Sequence, residues 1–275
     1  MRPRLCLTLL SIILAAGVPT IDELLQYRTA RGAVISPDGK FVAYSVTETD
    51  WEQDAFVTHL WLAETGGGRT WQLTRGKKSA GAPAWSPDAK WLAFTSDREG
   101  GKNQIFVLRP DGGEAVQLTK SETGVQGFEW SPDGVQIAYT AADKRGEERK
   151  KHLGDFEVVR RDYTHSHLWT FAVADAMRAT ATGTQRTKGM EYSLGGFAWS
   201  PDGKKIAFSA TRNPDLVQGG TSDLYVLTLE GEVVKKIVDQ PGPDRGPVWS
   251  PDGKWIAFSS AMGNPKFFHC LLYTS

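Results

Sequence analysis

Along most of this chain, short apolar or alternating runs are separated by clusters of Gly, Pro, Asp and Ser. The clearest example reads "APAWSPDAKWLAFTSDREG" and then "NQIFVLRPDGGEAVQLTK". It divides into "APAW", a turn, "KWLAFTS", a polar loop, "QIFVL", a second turn "RPDGGE", and "AVQLT". Four such runs with turn chemistry between them predict a four-stranded antiparallel sheet. The same order returns in "VISPDGKFVAYSV", "HLWLAETGGG" and "RTWQLT", and again in "FAWSPDGKKIAFSA", "DLYVLTLEGE" and "VVKKIVD".

The repeat has a countable marker. An S-P-D phrase begins at Ser36, Ser86, Ser131, Ser200 and Ser250, giving spacings of 50, 45, 69 and 50 residues. Periods of this length fit propeller blades better than helical solenoid units. The fold class expected is therefore all-β, a β-propeller of four-stranded blades, with about four and a half blades in the chain.

The marker itself reads as a turn. Pro at its second position (Pro37, Pro87, Pro132, Pro201, Pro251) presets φ for a type I turn. Ser and the Asp at the third position (Asp38, Asp88, Asp133, Asp202, Asp252) can bond nearby backbone amides. Gly at the fourth (Gly39, Gly134, Gly203, Gly253) tolerates φ above zero, as in a hairpin closed by a G1 bulge. Ala89 stands in that place in the second copy and predicts a strained left-handed alanine or a different turn. The residue before Ser is apolar every time (Ile35, Trp85, Trp130, Trp199, Trp249), which predicts a core-facing flank with Ser and Asp at the loop tip. Five dispersed Ser–Asp pairs without an adjacent His make no catalytic sense.

The formal charge is balanced, 32 basic against 32 acidic residues, so nothing in it points to nucleic acid. Ten Trp and 29 Gly suit a β-protein with many tight turns. Residues 1–17 have the form of a secretory signal peptide: "MRPR", the apolar "LCLTLLSIILAA", then Ala15-Ala16-Gly17. Its removal would leave Cys270 alone, without an internal disulfide or a cysteine-based metal site. Cys6 does not sit in a lipobox, so the expectation is an exported, periplasmic or secreted protein without a membrane anchor.

Few residues invite chemistry. His165 and His167 form an H-x-H, but His59, Gln104, His167 and Asp223 occupy one slot in four repeats, which marks a structural polar position; no metal site is expected. No G-x-S-x-G, H-E-x-x-H, phosphate loop or acidic calcium loop is present, so no catalytic residue and no cofactor is assigned. One segment departs from the repeat. From Asp143 to Asp162, 13 of 20 residues are charged, and this excursion accounts for the 69-residue spacing. It reads as a solvated surface or, since long loops on rigid scaffolds often carry function, as the rim of a substrate entrance. In the second case Glu147, Glu148 and Glu157 are the candidates to receive a substrate ammonium group.

Several longer phrases resemble one enzyme family: "TIDELLQYRTARGAVISPDGKFVAYSVTETDWEQD", "AWSPDAKWLAFTSDREG", "IFVLRPDGGEAVQLT" and "DFEVVRRDYTHSHLW". Together they look like the N-terminal propeller of a secreted serine peptidase of the prolyl oligopeptidase family, in its acylaminoacyl-peptidase or dipeptidyl-peptidase-like branch. The resemblance implies seven or eight blades and a following α/β-hydrolase domain, a partner in cis, carrying a Ser-Asp-His triad. It also implies short peptides as substrates. The W-S-P-D-G repeat is shared with TolB-type periplasmic propellers, and the alternative is a non-enzymatic propeller of that type, mediating protein–protein interactions. Residues 18–268 are accordingly expected to form an incomplete propeller without the hydrolase domain. The last residues, "KFFHCLLYTS", lack the Leu-aromatic strand phrase, so 269–275 are expected to be a non-native tail.

Overall fold

In a computed structural model of the chain, residues 18–144, 164–214, 221–261 and 270–274 are described. They build five antiparallel sheets, each from consecutive strands. The first holds β1 (Thr29–Ile35), β2 (Phe41–Asp50), β3 (Ala55–Glu64) and β4 (Thr70–Gln72). The second holds β5 (Ala80–Trp85), β6 (Leu92–Ser96), β7 (Gln104–Leu108) and β8 (Val116–Gln117). In the third are β9 (Gly127–Trp130), β10 (Gln136–Ala142), β11 (Ser166–Ala172) and β12 (Thr184–Gln185). The fourth contains β13 (Ser193–Trp199), β14 (Lys205–Thr211), β15 (Asp223–Thr228) and β16 (Val233–Val238). The fifth has β17 (Asp244–Trp249), β18 (Ile256–Ser260) and β19 (Cys270–Thr274).

This last strand lies in the tail expected to fall outside the repeat. Cys270–Thr274 pairs with β18 over five residues, Ser260↔Cys270 to Ile256↔Thr274, as a third strand does in the other sheets. A run of β-compatible residues next to an open sheet edge finds a ladder to join, whether or not it matches the repeat phrase.

The sheets pack face against face, so the core lies between blades. One cluster joins the first two sheets through Leu60, Leu62, Trp85, Leu92 and Phe106. A second joins the next pair through Ile105, Leu118, Ile137 and Tyr139, and a third follows with Leu168, Trp199, Ile206 and Phe208. A sheet covered on both faces has no solvent side, which is why all five residues of β7 are buried instead of alternating. The first strands of neighbouring sheets touch, β1 with β5, β5 with β9 and β13 with β17, and so mark the inner side of the array.

All five S-P-D turns share one hydrogen-bond pattern. In the third, Ser131 Oγ donates to Asp133 Oδ1 at 2.5 Å and accepts the Gln136 N–H at 2.9 Å. Asp133 Oδ1 accepts the Val135 N–H at 3.0 Å, and the Gly134 N–H closes the turn on the Ser131 carbonyl at 2.9 Å. The Ser hydroxyl thus stands in for a missing backbone partner of the second strand. Ser36, Ser86, Ser131 and Ser200 are consequently buried and only the Asp remains near the surface, so the expected placing of both at the loop tip is corrected. Ala89 takes the left-handed conformation at φ 59°.

The residue before Ser is not uniformly core. Ile35 is exposed, and the four tryptophans reach across to the preceding blade. Trp85 Nε1 donates to the Val34 carbonyl, Trp130 to Ala84 and Trp249 to Ala198, each at 3.2 Å, and Trp199 to Glu129 at 3.4 Å. The acceptor in each case is the residue before the equivalent aromatic position. Successive turns also abut: a Cβ at Gly134 would lie 3.4 Å from Pro87 Cδ, and one at Gly253 would lie 3.7 Å from Pro201 Cδ. One face of the array therefore carries the turns, with neighbours in contact.

Candidate functional site

The opposite face carries the links between second and third strands and from each fourth strand to the next blade. Its floor is a polar lock repeated in three blades. Thr74, Thr119 and Thr187, just beyond β4, β8 and β12, accept the N–H of Leu60, Ile105 and Leu168 at 2.9, 2.8 and 3.0 Å. In the second and third blades the side chain one residue earlier on the third strand meets the same threonine. Thr119 donates to Gln104 Oε1 at 2.8 Å, and His167 Nδ1 lies 3.3 Å from Thr187 Oγ1. His59 occupies the slot in the first blade, where burial holds its pKa below the ordinary value. Two residues before each Thr stands Gln72, Gln117 or Gln185, opposite an aromatic of the third strand. Gln72 and Gln117 donate to the carbonyls of Thr74 and Thr119 at 2.9 and 2.7 Å.

The fourth blade breaks the pattern at all three positions. Register puts Lys236 opposite Tyr225, where the other blades have Gln, and Val238 opposite Leu224, where they have Thr. Asp223 replaces the His or Gln. Lys236 Nζ lies 2.8 Å from both Asp223 Oδ2 and Asp239 Oδ1, and those two bonds hold its pKa above the ordinary lysine range. Above this ion chain is a cleft of roughly 680 Å³ that includes Tyr192, Arg212, Asn213 and Thr221 in its wall. Tyr192 stands edge-on to Tyr225 at 5.2 Å, and Tyr225 stacks on Phe208 at 5.5 Å. A smaller cleft of about 280 Å³ lies beside it, between Gly195, Gly196, Ser209, Ser222 and Arg245.

Glu129 is a second departure. It precedes Trp130 on the innermost strand of the third blade, where the other blades place Val34, Ala84, Ala198 and Val248. Burial pushes its carboxyl up to about 7, opposed by a hydrogen bond from the Trp199 backbone N–H across the seam. The signal was present in the sequence once the positions before each aromatic are aligned, yet it is not visible in "GFEW" alone.

The sequence-derived candidates separate clearly. The S-P-D residues sit on the turn face. Glu147, Glu148 and Glu157 lie outside the described residues. His165 and His167 are both buried, and His165 Nε2 lies 3.1 Å from the Arg212 carbonyl of the next blade. Among the described residues no group of three His, Cys, Asp or Glu is placed to hold a metal ion, and no helix is long and apolar enough to cross a membrane.

Residues 26–170 and 174–273 match the family described as TolB beta propeller domain. Dipeptidyl-peptidase 5 of Porphyromonas gingivalis is 31% identical over 217 residues, which cover 71% of this chain and 32% of that protein. The chain spans 14% to 34% of the length of the curated relatives it matches. Among solved structures, the acylaminoacyl peptidase of Pyrococcus horikoshii superposes with a TM-score of 0.68, covering 91% of this chain and 38% of that one at 16% identity. TolB of Acinetobacter baumannii does so at 0.53, covering 90% and 52% at 19% identity. At such identities the likeness to solved structures is one of fold.

Proposed function

The chain belongs to the TolB beta propeller domain family, and from that premise we propose that it is the propeller part of an exported serine peptidase, admitting short peptides and turning folded proteins away. The supporting observation is its identity to a dipeptidyl-peptidase over 217 residues, a length of several blades and not a single motif. The reacting serine then belongs to an α/β-hydrolase domain in cis, and this chain supplies the rigid frame and the face that filters what reaches it. The charged excursion 143–162 forms part of that rim in this reading, and Glu147, Glu148 and Glu157 receive the substrate's ammonium group. Export follows from the form of residues 1–17.

The test is hydrolysis by the full-length gene product across peptides of increasing length. Rapid cleavage of short peptides that falls away with length, with folded proteins left intact, supports the proposal. Absence of peptide hydrolysis, or equal attack on folded proteins, overturns it. A second reading, a non-enzymatic TolB-type propeller in envelope protein interactions, is favoured by the superposition on TolB over 90% of this chain. It predicts a full-length product that captures protein partners and cleaves nothing.

A further inference from the structure

The fourth blade is where the repeat gives up a structural lock and gains a cleft. In three blades a Thr just beyond the fourth strand accepts a third-strand N–H, and in the second and third the polar side chain before that N–H also meets the Thr. In the fourth blade Asp223, Lys236 and Val238 take those places, and the space above them stays open. A repeat that abandons consistent local chemistry at three coupled positions is a place to expect a function that the scaffold does not need.

The chemistry of the wall narrows the ligand. Two cations, Arg212 and Lys236, face two carboxylates, Asp223 and Asp239, so the lining carries no net charge. Both cations are already neutralised: Lys236 lies between the two aspartates, and Arg212 Nη2 is 2.9 Å from Glu191 Oε2. An anionic ligand would have to break one of these pairs to be recognised. A neutral one with many hydroxyls would not. An ammonium with two bonds made still offers a third proton, and each carboxylate keeps unused lone pairs. Tyr192 and Tyr225 add phenol groups and ring edges, the amphipathic surface that suits a molecule with apolar C–H patches between hydroxyls. The cleft, at roughly 680 Å³, is within the size range of small-molecule sites.

We propose that the fourth-blade cleft lined by Tyr192, Arg212, Asp223, Tyr225, Lys236 and Asp239 binds a neutral saccharide. The site lies on the loop face, away from the S-P-D turns.

The test uses the full-length protein and a panel of neutral disaccharides, uronate-containing disaccharides and dipeptides, each titrated calorimetrically. The triple variant D223H/K236Q/V238T rebuilds the third blade's lock in the fourth, and Y192A removes the edge-on ring. The expected result is binding of at least one neutral disaccharide, weakened at least tenfold in both variants while the thermal unfolding profile of the triple variant stays that of a folded protein. No binding of any neutral disaccharide, preference for the acidic sugars or dipeptides, or affinity unchanged in a folded triple variant would each overturn the assignment. Should the triple variant unfold, Y192A and D239N decide the question by the same criterion.

Discussion

The two faces of this propeller treat the same repeat in opposite ways. On the turn face every blade uses its Ser and Asp identically, with Ala89 in the place of Gly in the second, and a Trp ties each of the last four turns to the preceding blade. On the loop face three blades close a polar lock and the fourth replaces it with an ion chain beneath a cleft. Uniform chemistry where blades must stack, and divergence where they meet solvent, is how a repeat array separates holding from binding. A residue's presence in every blade therefore points to architecture, and its absence from one blade is the better guide to function.

That contrast can be broken at graded strengths. Trp199→Ala, which empties a buried seam between the third and fourth blades, is expected to cost about 3–5 kcal/mol in chemical denaturation. Trp199→Phe keeps most of the ring and loses the Nε1 bond, at about 1 kcal/mol. If the two variants prove equally damaging, the hydrogen bond and not the packing holds the seam.

Glu129 gives a pH signature. Its folded pKa, about 7, lies above its ordinary 4.5, so the unfolded chain releases this proton first as pH rises. Stability from this group is therefore lost between roughly pH 4.5 and 7 and stays lost above. Glu129→Gln removes the titration, and the difference between wild type and variant should shift by on the order of 2 kcal/mol between pH 5 and pH 8. Parallel stability curves for the two proteins across that range would show that the carboxyl does not titrate in the seam.

Ser131→Ala leaves the part-buried Gln136 N–H without its partner and should cost about 1 kcal/mol, with no effect on peptide hydrolysis by the full-length protein. The smallest effect runs the other way. Ala89→Gly relieves the left-handed alanine and should raise stability by about 0.5–1 kcal/mol, read as a higher denaturation midpoint.

What the sequence revealed follows the distance over which each interaction acts. The turns and the blade spacing were legible because turn chemistry is settled within a few residues, and the left-handed Ala89 was one of the two outcomes read there. The polar slot at His59, Gln104, His167 and Asp223 was legible as a slot, but its threonine partners were not, since Thr119 meets Gln104 only through the pairing of β7 with β8. The tryptophan bonds were hidden for the same reason: Trp199 and Glu129 are 70 residues apart and meet only when two blades stack. Burial of the turn serines was misjudged because polarity alone does not show that a hydroxyl replaces a backbone partner.

The most direct test of the central reading is covalent labelling of the full-length gene product by a fluorophosphonate, which reacts with activated serines. The account predicts labelling of the full-length protein at a serine beyond Ser275 and none on residues 1–275 produced alone. A full-length protein that remains unlabelled while folded, or labelling of any S-P-D serine, would contradict it.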